Sequence, residues 1–132
     1  MRTIKFRGKR LDNSEWVYGD LLRMHGVPYI YPDPAPDGWN DYEVIPDTVG
    51  QFTGLLDKNG KEIYEGDIII SEDYEHAKHY IGYREDDAMF VAYIVATRPL
   101  DFFAVRQDWL DVTNKIVIGN IHDNPELLTL NK

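Results

Sequence analysis

The chain contains no cysteine, which removes disulfides, thiol nucleophiles and cysteine-ligated zinc together and fits a reducing compartment. No run approaches the roughly 18 apolar residues of a membrane span, and the opening MRTIKFRGKR lacks the apolar segment of a secretory signal. We therefore expect a cytoplasmic protein with no membrane partner. Glycine-rich phosphate loops, the dinucleotide fingerprint and the serine elbow are missing as well, so no cofactor is expected. There is no internal repeat and no low-complexity tract.

What is there is ordinary globular material. With 132 residues, 43% hydrophobic, 28% charged and 13% aromatic, the chain is long enough for one core. We expect a single domain over 1–132, with lobes at 1–47 and 48–132. The net charge of −9 is uneven. Residues 1–10 carry five bases and no acid, so the remaining nine bases face 23 acids, giving −14. Such a field repels phosphates, so direct nucleic-acid binding is not expected. The basic start has a plain reading, charge pairing with the acidic body, and a functional one, a bipolar surface that docks a basic partner or a second copy.

The densest structural information lies between Thr48 and Ser71. Phe52–Leu56 and Ile63–Tyr64 flank Asp57-Lys58-Asn59-Gly60, where Asn59 and Gly60 suit the positive-φ positions of a hairpin turn. Gly66 marks a corner before Asp67 and the run Ile68-Ile69-Ile70, whose continuous apolarity predicts a strand covered on both faces or a barrel strand. Upstream, Ile4 and Phe6 alternate with Thr3, Lys5 and Arg7, a strand with its cations toward solvent. Glu15–Leu22 returns as a second strand with a bulge at Gly19. Val27–Tyr31 is a third strand, held to an edge by Pro28.

Residues 31–42, with Pro32, Pro34, Pro36 and Trp39, read as an ordered loop. Trp39 either caps the core or helps form a peptide-recognition surface. Residues 72–87 are the most acidic segment, six acids against two bases, and read as a loop leading into a strand at Tyr80–Arg84, with a helical turn possible at Tyr74–Lys78. Met89–Thr97 is the longest β-type run and completes a second hairpin. Phe102–Val105 and the Trp109 region are of undetermined type, and Lys115–Ile118 is a strand. Asn124 as cap, Pro125 at the first position and Glu126 in the first turn predict a short C-terminal helix, with Leu127, Leu128 and Leu130 packed on the sheet. The fold class is thus mainly β: short antiparallel hairpins, a small SH3-like or strongly bent barrel over Leu56–Ile121, and that helix.

Candidate chemistry is sparse. His76 and His79, spaced H-x-x-H beside Asp73, are the weak metal candidates, and they converge only if the segment is helical. The alternative is a solvated acidic loop. Asp57, Asp67, Asp123 and Glu126 sit where a carboxylate accepts turn N–H groups, although two carboxylates converging in a cleft could do acid/base work. No catalytic residue is assigned.

The blocks IKFRGKRLDNSEWVYGDL, TVGQFTGLLDKNGKEIYEGDI and VIGNIHDNPELL together resemble the YopX family of small bacteriophage and prophage proteins. The resemblance covers about 50 residues in order, and residues between Ile70 and Ile116 carry no motif that matches. It implies a phage-encoded or prophage-encoded, mostly β protein, and it brings no catalytic residues. Gly50, Gly54, Asn59, Gly60, Gly66, Asp67, Gly119, Asn124 and Pro125 then stand as turn and cap determinants. The expected function is a non-enzymatic binding or regulatory module with an unidentified protein partner, a homo-oligomer among the forms considered. The rivals are an acidic DNA mimic and a carboxylate/His metal-assisted hydrolase.

Overall fold

The computed structural model describes residues 1–32, 42–95 and 101–129, with residues 74–76 described by backbone alone. The chain divides into two compact units, Met1–Phe52 and Thr53–Lys132. Its strands form two antiparallel five-stranded sheets, ordered β3-β2-β1-β4-β5 and β10-β6-β7-β8-β9.

In the first unit, β1 (Phe6–Lys9), β2 (Trp16–Met24) and β3 (Val27–Tyr31) run as a meander, and the start of β4 (Gly50–Leu56) pairs with β1 at Phe6↔Gln51 and Arg7↔Gly50. Period-two alternation turns Val17 inward to pack with Ile30 and Val44, and Phe6, Leu21, Tyr42 and Val49 close around them. Pro28 holds β3 at the sheet edge as expected, and its carbonyl accepts the Val44 N–H. Glu43 and Val44 make isolated bridges to Tyr29 and Arg10. Two expectations fail here. Gly19 shows no bulge: it pairs with Phe6 at the end of the β1 register, and pairing with β3 begins at Asp20. It is glycine because a Cβ would run into the Tyr31 carbonyl. Nor do the β1 cations all face solvent: Arg7 is buried, its guanidinium 4.7 Å from the Trp16 ring centre.

The second unit holds the rest of β4, then β5 (Glu62–Tyr64), β6 (Asp67–Ser71), β7 (Tyr74–Arg84), β8 (Met89–Ile94), β9 (Phe102–Ala104), α1 (Gln107–Val112) and β10 (Lys115–Asn120). Ile63, Ile69, Ile81, Ala92 and Leu110 form its core, with Leu55, Val105, Trp109 and Val117 against it. Ile68, Ile69 and Ile70 are all buried, so β6 is covered on both faces as its sequence predicts.

The β class holds, but no barrel closes among the described residues. β9 and β10 are the two edges of an open sheet, and the chain between them is spent on α1 rather than on pairing. Residues 80–84 are a strand as expected, but it begins at Tyr74 in place of a loop or helical turn, because Ser71, Ile68 and Ile69 hold it from one side while Tyr80, Ile81, Gly82 and Tyr83 find partners on β8. The C-terminal helix reduces to one 3-10 turn at Pro125–Leu128, with Leu127 and Leu128 only half-buried. Asn124 makes no cap bond there; its Oδ1 accepts the Asn120 N–H instead. Residues 33–41, Trp39 among them, and Leu130 lie outside the described residues.

Candidate functional site

The turn at 57–60 places β10. Asp57 is buried and its Oδ1 accepts the N–H groups of Asn59 and Lys61 at 2.8 and 2.9 Å, while Oδ2 accepts the Val117 N–H at 3.0 Å. Lys58 N–H donates to the Lys115 carbonyl at 2.9 Å. A hairpin turn made by local Asx chemistry is thereby tied to the start of β10. Only Gly60 takes positive φ (+80°); Asn59 does not.

β10 pairs with β6 in a register that sets Lys115 opposite Ser71. Lys115 Nζ donates to Ser71 Oγ at 2.9 Å and lies 4.9 Å from the centre of the Trp109 ring. Lys115 is 3% exposed, whereas Ser71 at the strand end is partly open. No carboxylate pairs with Lys115 among the described residues, and burial pushes its amine below the ordinary lysine range. Trp109 is delivered by α1, which Gln107 docks: its Nε2 donates to the Leu56 carbonyl at 2.8 Å and its Oε1 accepts the Leu56 N–H at 3.1 Å.

His79 joins the same group from β7. Its ring meets Trp109 edge-on at 5.4 Å and Phe103 at 5.9 Å, and Phe103 stacks on Trp109 at 5.8 Å. Only 4% exposed, its Nδ1 has no hydrogen-bond partner among the described residues. Burial first, and the Lys115 ammonium second, push its pKa down to about 4. Outside this cluster, Arg106, Asp108, Trp109 and Val112 line an open hollow of about 300 Å³.

The backbone sets the metal candidates His76 and His79 on opposite faces of a strand. The segment is a strand, so the helical premise for an i,i+3 histidine pair is gone. His79 is packed among aromatic rings, the His76 side chain lies outside the described residues, and Asp73 accepts from Asn114 Nδ2 at 2.6 Å. Among the described residues no three His, Asp or Glu side chains gather as a ligand set.

The remaining candidates occupy turns and corners. Asp67, 1% exposed, accepts the Tyr64 N–H at 2.7 Å across the corner at Gly66, whose φ is +91°. Gly54 also takes positive φ, Gly50 pairs with Arg7, and Pro125 opens the 3-10 turn. Gly119 follows a register shift in β10, and a Cβ there would strike the Asn124 side chain. Sequence reasoning missed Lys115, Ser71, Trp109 and Gln107. The only local signal was parity: Lys115 shares a strand face with Val117, which packs on the core.

A family model described as YopX protein matches residues 5–129. The crystal structure of protein EF1440 from Enterococcus faecalis is similar, with a TM-score of 0.61 and 25% identity over 98% of this chain and 100% of that one. No curated protein matches. No helix among the described residues is long and apolar enough to cross a membrane.

Proposed function

The chain belongs to the YopX protein family, and from that premise we propose a binding or regulatory module of a phage or prophage that acts through protein–protein contacts in the host cytoplasm. One observation carries the reading. Val112 is 81% and Phe103 48% exposed, and both adjoin Trp109, Val112 across the hollow and Phe103 by ring stacking. Apolar side chains grouped in this way beside a cavity suit a partner's aliphatic or aromatic side chain, with Arg106 and Asp108 as polar rim.

The test is capture from host lysate with wild type and with the single variants Val112→Asp and Phe103→Asp. Val112 is exposed enough to change stability by no more than about 0.5 kcal/mol, whereas Phe103→Asp also gives up the ring contacts to Trp109 and His79, and circular dichroism and melting would verify that each variant remains folded. The expected result is a captured protein lost in both variants. Capture that is unaffected by either variant overturns the proposal. A basic DNA-binding protein released by salt from both variants points to acidic mimicry, and a retained divalent metal without a protein partner points to hydrolysis.

A further inference from the structure

Beyond docking, and independently of it, one pair of side chains has the geometry of a nucleophile and its base. We propose that Ser71 is a nucleophile for activated esters, with Lys115 as its general base. The register of β6 and β10 sets the two residues directly opposite each other, with Nζ 2.9 Å from Oγ, so the contact is held by two strands rather than by a loop. Burial is divided usefully between them. Lys115 is 97% removed from solvent, with the Trp109 face over its amine, while Ser71 at the end of β6 remains accessible.

A lysine paired with a carboxylate keeps its proton. Lys115 has no such partner among the described residues, and burial pushes its amine below the ordinary lysine range, so the neutral form that a base requires is easier to reach than for an exposed lysine. In the reaction, Oγ attacks the carbonyl carbon of the ester and Nζ takes the hydroxyl proton. The bond from that carbon to the leaving oxygen breaks, the proton passes to the departing alcohol or phenol, and Ser71 is left esterified. A merely structural pair, in which Ser71 only accepts a hydrogen bond from a permanent ammonium, has no enhanced reactivity.

The chain provides its own control, because Ser14 is the only other serine and is exposed. The full chain is incubated with p-nitrophenyl acetate at neutral pH and acetylation is mapped by peptide mass spectrometry. Ser71 is expected to react at least about 100-fold faster than Ser14, as general-base assistance provides. Ser71→Ala should abolish that site. Lys115→Arg, a cation that cannot release its proton, should slow acetylation of Ser71 about 100-fold. Equal rates at Ser14 and Ser71, acetylation on Lys115 instead, or undiminished reaction in Lys115→Arg overturns the proposal. If Lys115→Arg does not melt cooperatively, the ratio of Ser71 to Ser14 in the wild type decides alone.

Discussion

Each unit of this protein lays a buried cation on a tryptophan. In the first, Arg7 on β1 covers Trp16 at 4.7 Å; in the second, Lys115 on β10 covers Trp109 at 4.9 Å. The packing is alike and the chemistry is not. A guanidinium keeps its proton under any ordinary condition, so Arg7 is a fixed charge. Burial makes an ammonium costly and pushes the Lys115 amine below the ordinary lysine range. Similar burial therefore lays a guanidinium on a ring in one unit and an amine with a lowered pKa beside a serine in the other.

The comparison is tested most severely through the two cores. Ile81→Ala in the second unit and Ile30→Ala in the first each remove a fully buried side chain and should each cost about 2–5 kcal/mol. Chemical denaturation monitored at Trp16 and Trp109 would read the loss on each side. If one substitution is silent, the two cores are not equally packed.

A smaller effect distinguishes the turns. Asp57→Ala strips the acceptor from three backbone N–H groups, one of them on β10, and should cost about 2–3 kcal/mol in denaturant melts. In the first unit, Asn13→Ala removes an exposed turn contact to Glu15 and should stay within about 0.5 kcal/mol. Asp57→Asn keeps an acceptor oxygen and should fall between them.

A pH series sharpens the difference further. The pKa of His79 is lowered in the folded state from 6.5 to about 4, so between those values the unfolded chain binds more protons. Stability therefore falls as pH drops from 6.5 toward 4 and levels off below that. Melting temperature against pH should show this slope in the wild type and a shallower one in His79→Phe, which also removes the unpartnered Nδ1.

The smallest change is expected at the amine itself. Lys115→Met keeps the stem that packs on Trp109 and removes a buried amine that meets no carboxylate among the described residues, so stability should move by no more than about 1 kcal/mol in either direction. A large loss would mean that the ammonium, not the stem, holds β10 to α1.

Legibility in the sequence followed the range of the causes. The hairpin at 57–60, the corner at Gly66, the edge placement by Pro28 and the doubly covered β6 were all readable, because turn geometry, a missing N–H and side-chain parity act within a few residues. The strand expected at Tyr80–Arg84 starts already at Tyr74: Glu75, His76 and His79 lower local β propensity there, and pairing with β6 and β8 overrides that. α1 gave no cap signal, and its Arg106 N-cap position makes no side-chain cap bond. The C-terminal signal was present but misleading, since Asn124 serves Asn120 instead of a helix.

By itself, then, the amino-acid sequence determined the β class, the turns, the family and the absence of cysteine chemistry, because each is set by composition or by neighbours along the chain. Only the tertiary structure decided that the second sheet stays open, that His79 is packed among aromatic rings, and that Lys115 meets Ser71. Those two residues are 44 positions apart, and which strands pair across such a span depends on how the whole sheet is assembled.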